Sequence, residues 1–415
     1  MRSEPLATGE SSPVLAPPQP LWRNRAYALI IAAGTISTIG SAIGRFALPL
    51  LALALTDSAL WAALLGSAQL LPYLLFSLPA GAWVDRAPRR HLLVGCHLAR
   101  FLLIGSIPLA FALGQLTMPH LLAAVFLAGL CTLLFEIADM AALPHLVQPA
   151  QLARARSVSE GVEATAEVVG PSLGGLIVGA GSTVAGGAAL ALLSDSLSSL
   201  VSAGALPGVR RPLQGPPAPP APLRAVLLQG LRFVWGHGPL RAIMLLTAAV
   251  NFLQAPISLL VILTAQEHLA LSPAHIGLLF GVAGIAGVLG AAIAGWWYQP
   301  ERLRLTLLGS LALWALSAAV MAIAPTALAL GFGLALTRLM WPIYGVAVVA
   351  YRLEATPAAL QGRVISAFRA LSYGAEPLGL ALGGIAVTVL SPPLLFGMIA
   401  VGLLGCGGFA VGRRL

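Results

Sequence analysis

The chain contains no lysine. Its 23 basic residues are all arginine, set against 14 acids, and charged residues make up only 9% of 415 positions. Without lysine there can be no G-x-x-x-x-G-K-[ST] phosphate loop, which excludes ATP-driven work at a site of that kind. Cysteine is equally scarce: Cys96, Cys131 and Cys406 each lie inside an apolar run, with no CxxC or Cys/His spacing to suggest a disulfide framework or a zinc site. The seven histidines stand singly and form no HExxH, so an intramembrane hydrolase has no motif to use. No catalytic residue, metal or cofactor is expected. Hydrophobic residues reach 58% and mean hydropathy +0.92, too little polar surface to cover a water-soluble globule.

What the chain has in abundance is apolar runs of roughly twenty residues, each able to cross a ~30 Å hydrocarbon core at ~1.5 Å per residue. Twelve spans are expected at about 26–55, 59–84, 92–113, 120–143, 159–180, 185–206, 240–263, 275–298, 305–324, 327–351, 364–390 and 394–411. Nineteen arginines then fall in or beside alternate connections, four lie inside spans, and the opposite loops hold none. Such asymmetry places both termini in the cytoplasm and explains the net charge of +9 without a nucleic-acid partner. Residues 1–25, rich in Pro and Ser, read as a disordered cytoplasmic tail, and 412–415 as a second short tail.

The Pro-rich stretch VRRPLQGPPAPPAPLRAV (209–226) separates spans six and seven. It opens a linker, 207–239, between a six-span half at 26–206 and another at 240–411. Within that linker LRAVLLQGLRFVWG returns to helical periodicity, with Leu223, Leu227, Leu231 and Val234 on one face. Such a helix either lies on the cytoplasmic surface or docks on neighbouring spans. The two halves echo each other: 149–161 aligns with 357–369 at an offset of 208, Gly174–Gly175 with Gly383–Gly384 at 209, and Ala80–Gly81 with Ala294–Gly295 at 214. Six spans, a linker and six matching spans point to a transporter with its site between two repeated bundles.

The stretch GAWVDRAPRR (81–90) supplies Gly81, Asp85, Arg86, Arg89 and Arg90 at the marked positions of the G-x-L-a-D-R-x-G-R-[RK] signature. Together with FEIADMAALPHLVQPAQLARA (135–155), GPSLGG (170–175) and TPAALQGRVISAFRALSYGAEPLG (356–379), it makes the chain resemble the major facilitator superfamily over about residues 24–411. The closer resemblance is to its bacterial drug:proton antiporter branch, which includes macrolide and enterobactin exporters. That likeness implies an all-α integral membrane fold of twelve transmembrane helices in two six-helix bundles related by internal repeat. It further implies a monomeric multi-pass protein of the bacterial inner (plasma) membrane, surrounded by lipid bilayer, that exports amphipathic small molecules in exchange for protons. Export of a siderophore or other natural product is the alternative. Asp85, Arg86, Arg89 and Arg90 would then form a conformational latch with Glu136 and Asp139, closed when the site faces outward. The signature's second copy, GWWYQPERLR (295–304), has lost its Asp.

Charge inside a span needs a partner or a purpose. Glu160, Glu163 and Glu167 form an acidic stripe at the start of span 5, spaced three and four apart. Glu167 is the deepest, and burial raises a carboxyl's hold on a proton, so it is the first choice for proton coupling. Its rival role is as a buried partner for an arginine such as Arg100 or Arg369. Glu163, Asp195 and Glu376 are further coupling candidates; Glu376 precedes Pro377 as Glu167 precedes Pro171, in a shifted register. Arg45, Asn251, Gln254, Arg338 and Tyr344 are expected to line a substrate cavity. Gly170, Pro171, Gly174 and Gly175 form a motif for close packing or bending of span 5. His97, beside Arg100, reads as a packed polar residue rather than a titrating one.

Overall fold

The computed structural model describes residues 21–148, 151–209, 213, 223–357 and 360–413; of residues 78, 82, 85, 153 and 223–228 only the backbone is described. Residues 1–20 and 414–415 of the expected tails and most of the Pro-rich stretch 209–226 fall outside the described residues, whereas Leu21–Arg23 form a short 3-10 helix with Leu21 buried and correct the expected tail at its end. Helices account for nearly everything that is described, and among the described residues there is no strand.

Six helices make the first half: α1 (Arg25–Thr56), α2 (Ala59–Arg86), α3 (Arg89–Ala112), α4 (Met118–Leu146), α5 (Leu152–Ala180) and α6 (Val184–Ala205). A short α7 (Leu223–Gly236) leads to the second: α8 (Gly238–Gln254), α9 (Ile257–Leu263), α10 (Pro273–Trp297), α11 (Leu303–Ala322), α12 (Ala327–Glu354), α13 (Gln361–Ala386) and α14 (Pro392–Gly412). Side-chain oxygens cap several starts: Asn24 accepts from Tyr27 N, Thr117 from His120 N and Thr326 from Ala329 N. The last two caps sit at matching places in the two halves. The seventh span is broken where the sequence reading had it continuous. Pro256 has no N–H to give, so α8 stops at Gln254, α9 follows, and the segment ends in a wide π-type turn over Thr264–His268.

Among the described residues ten segments are long and apolar enough to cross a membrane. Of the twelve expected spans, α5 and α13 fall short, though they are 29 and 26 residues long. Both carry charges along the face that looks into the interior, which lowers their hydropathy. Each lies on the seam between halves: α5 packs on α10, and α13 on α2. Helix α7 docks on α13, with Gly230 against the Arg363 carbonyl and Val234 fully buried. The docked reading of this helix is the one observed.

The seams show the repeat directly. At one, Gly175 of α5 meets Gly277 of α10, where an added Cβ would lie 2.8 Å from the Gly277 Cα. At the other, Gly384 of α13 leaves no space for a Cβ against Ala63 of α2. Gly175 and Gly384 are 209 apart, Ala63 and Gly277 are 214 apart, and both offsets are those of the sequence echoes. Gly170 against Ala42 (α1) and Gly379 against Phe252 (α8) repeat the relation. Aligned this way, Glu167 and Glu376 fall on the same register, 209 apart. Counting from the prolines had set them out of step.

Candidate functional site: a cavity between the halves

A cavity of about 830 Å³ lies between the two halves. Its lining comes mostly from the first halves of α1, α3, α5 and α13 and the last halves of α4 and α12, with Thr247 and Asn251 of α8, so it opens at the end bearing the arginine-rich connections. The opposite end is shut by the two glycine seams and by the edge contact of Phe46 with Phe280, centroids 5.8 Å apart.

The two walls differ in charge. The first half lines the cavity with five acids, Glu136 and Asp139 of α4 and Glu160, Glu163 and Glu167 of α5, against three arginines, Arg45, Arg100 and Arg156, a net negative wall. From the second half the only charged lining residues are Arg352 and Arg369, set among Trp341, Tyr344, Phe368 and Tyr373. The aromatic wall is braced from behind. Trp314 is buried, donates Nε1 to the Thr337 carbonyl at 3.0 Å, and packs its ring against Trp341 and Tyr344 at 5.8 and 5.1 Å. Tyr344 shares a 2.9 Å hydrogen bond with Thr247, and Asn251 Nδ2 donates to the Ser372 carbonyl at 2.8 Å. Arg352 lies 5.0 Å over the Phe368 ring.

On the acidic wall Glu136 accepts from the Tyr73 hydroxyl at 2.8 Å. Arg156 pairs with Glu160 at 2.8 Å. At the floor Glu167 bridges Arg45 at 3.0 Å and Arg338 at 3.5 Å, joining α5 and α1 of one half to α12 of the other. The expectation of a deeply buried Glu167 is corrected: its side chain is 46% exposed, and its partners are neither Arg100 nor Arg369.

Several expected coupling or cavity residues lie elsewhere. Asp195 belongs to the interior of the first half, where Arg100 holds it at 3.0 Å and also donates to Ser41 and Thr132. Arg338, Gln254 and Glu376 are not lining residues; each stands three residues past one that is (Trp341, Asn251 and Tyr373), beyond the floor. Arg45, Asn251 and Tyr344 do line the cavity, as does Glu163. Of the latch residues, Arg89 donates to the carbonyls of Ala141 and Leu213, both at 2.9 Å, and Arg90 to that of Pro207. Arg86 is exposed, and the Asp85 side chain lies outside the described residues. Gly170 and Gly174 pack on α1 and Gly175 on α10, with the Pro171 carbonyl against Gly277. Sequence reasoning missed Phe368 and Tyr373 as wall residues; the charged, apolar-interrupted face of α13 was the available signal.

Comparison with known proteins decides what this architecture is. The model of the Major Facilitator Superfamily matches residues 30–379. The chain belongs to the major facilitator superfamily. It is therefore a multi-pass membrane transporter and not an enzyme. Among curated relatives of this transporter, the multidrug efflux pump Tap of Mycolicibacterium fortuitum is 29% identical over 90% of this chain and 94% of its own. Among solved structures, a bacterial homologue of the iron transporter ferroportin in an inward-facing state has a TM-score of 0.75 at 16% identity, covering 95% of this chain and 99% of that one. The nucleoside transporter NupG reaches 0.75 at 10% identity, over 94% and 99%. Likeness at that level is likeness of fold.

Proposed function

We propose that this transporter is a proton-coupled exporter of amphipathic small molecules that carry a positive charge, working by alternating access in a bacterial inner membrane with both termini cytoplasmic. The observation that carries the reading is the split cavity. An acidic wall on one half attracts a cation, while the aromatic faces opposite supply apolar area and cation–π contact. With the arginine-rich end cytoplasmic, the cavity is open to the compartment from which an exporter collects its cargo. The multidrug efflux role named for Tap supports the direction and the breadth of substrate. The latch of Asp85, Arg86, Arg89, Arg90, Glu136 and Asp139 belongs to the opposite state, in which the cytoplasmic ends come together. In the open arrangement Arg89 also donates to the carbonyls of Ala141 and Leu213.

Purified protein in liposomes, loaded with a fluorescent amphipathic cation and given an imposed pH gradient, tests this. Accumulation should follow the gradient and collapse with a protonophore. Flux indifferent to the gradient overturns proton coupling. Selective movement of a siderophore in place of the cation overturns the substrate assignment.

A further inference from the structure

Three helices meet at the arginine-rich end of the second half without one acid among them. Helix α7 docks on α13, α8 follows it, and α14 packs on α8. Residues 207–266 and 377–415, which contain all three, hold five and two arginines and no Asp or Glu. Elsewhere at this end arginine keeps company with acid. Asp85 stands among Arg86, Arg89 and Arg90, and Arg156 pairs with Glu160 at 2.8 Å. Glu301 precedes Arg302 and Arg304, and Glu354 follows Arg352. Such mixed loops satisfy a cytoplasmic bias toward arginine equally well. That bias therefore leaves the acid-free rim of α7, α8 and α14 unexplained.

The corner between α7 and α8 is fixed. His237 stacks on Phe233, centroids 6.2 Å apart, and its Nδ1 accepts from Leu240 N at 3.3 Å to cap α8. Arg241 donates Nη1 to the Trp235 carbonyl at 3.0 Å, which brings its guanidinium beside the exposed Trp235 ring. Arg232 is exposed one turn before Trp235. Helix α14 runs antiparallel to α8, with Gly402 against Leu253. Counting back along both helices brings Arg241 level with Arg413 to within a turn. Each of these arginines tops an exposed apolar column. Leu245 lies one turn beyond Arg241; Val401 and Phe409 lead along α14 to Arg413, which stands 5.7 Å from the Phe409 ring centroid. Between them Gly405 and Gly408 leave open space where a Cβ would stand. Among the described residues Arg232, Arg241 and Arg413 form no ion pair.

We propose that this rim binds an anionic phospholipid of the leaflet on the arginine-rich side. The lipid phosphate sits between Arg241 and Arg413, Arg232 adds charge, and the Trp235 indole lies at headgroup level. An acyl chain runs down the outer face of α8 and α14, past Leu245 and into the notch at Gly405 and Gly408. Charge complementarity and the apolar columns together select this occupant. A free phosphate would satisfy the arginines and leave Trp235, Leu245 and Phe409 unused. A protein partner would have to displace bilayer from Val401 and Phe409. Bound there, the lipid ties the linker helix α7 to α8 and α14, and so to the second half. The assignment needs only that the rim meets a bilayer, and neither export nor proton coupling enters it.

Native mass spectrometry of the full chain in neutral detergent tests this, with phosphatidylglycerol and phosphatidylcholine of matched acyl chains added in equal amounts. The parent should retain phosphatidylglycerol over phosphatidylcholine by about tenfold or more, since each arginine near an anionic headgroup contributes roughly fivefold. Arg241→Gln/Arg413→Gln should bring the two lipids close to parity. Arg241→Lys/Arg413→Lys should keep most of the preference, which separates loss of charge from loss of fold. Arg302→Gln/Arg304→Gln removes the same charge from the mixed rim at the start of α11 and should leave the preference unaltered. Equal loss in the two Gln pairs would mean a diffuse attraction of anionic lipid to positive charge and overturns the site. No preference in the parent overturns it as well. So does displacement of phosphatidylglycerol by an equal concentration of inorganic phosphate, which would show that the arginines bind the phosphate group alone.

Discussion

Arg100 and Asp195 meet at 3.0 Å inside the first bundle, their side chains 9% and 5% exposed. The pair joins α3 to α6, and Ser41 of α1 and Thr132 of α4 complete it, so four helices converge on one buried charge pair. Removing one member leaves the other uncompensated. Arg100→Ala or Asp195→Asn should destabilise by about 3–5 kcal/mol, whereas the apolar double variant Arg100→Met/Asp195→Leu should be affected far less. Thermal unfolding in detergent distinguishes the two, and equal losses in single and double variants would contradict the assignment.

His97, the neighbour of that pair, acts as an aromatic surface. Its ring centroid lies 4.5 Å from that of Phe135, and neither ring nitrogen has a hydrogen-bond partner among the described residues. His97→Phe should therefore leave stability unchanged or raise it by about 1 kcal/mol, because two buried polar atoms without partners are removed. Loss of stability on this change would reveal a polar partner.

The seam at Gly175 and Gly277 should be intolerant of volume. Gly175→Val forces a side chain into a contact already at 2.8 Å for a bare Cβ, at a cost of about 1–3 kcal/mol specific to the state in which this seam is closed. Labelling of a cysteine placed near the sealed end should rise, while Gly309→Val on α11, where a Cβ meets nothing within 4 Å, should leave it unaltered.

Helix α7 should undock when Gly230 is enlarged, since its Cα side presses on the Arg363 carbonyl. Gly230→Leu is expected to raise tryptic cleavage at the exposed Arg232 by roughly fivefold or more, as a locally opened segment does. Unchanged cleavage would mean that α7 is held by contacts other than this one.

The two cavity walls should contribute separately to binding of a cationic substrate. Trp341→Ala removes an exposed ring, worth about 0.5–2 kcal/mol of cation–π attraction, and should weaken binding of a cation more than that of a neutral analogue. Glu163→Gln should do the same through charge, with an effect that fades in high salt. Equilibrium binding of the paired ligands checks both.

Sequence alone determined the helical membrane class, most of the span positions and the repeat. Each depends on local properties: the length of an apolar run, the residue that caps a helix, a proline without an N–H, small residues at a fixed offset. The acidic stripe of α5 was legible too, because helical periodicity puts Glu160, Glu163 and Glu167 on one face whatever lies opposite. What lies opposite was not legible. That Glu167 would find Arg45 and Arg338 while Arg100 took Asp195 depended on which helix faces came together, since a guanidinium is attracted to any carboxylate within reach and the four inward arginines look alike in sequence. Only the packed structure showed five acids on one wall and the aromatic rings with two arginines on the other.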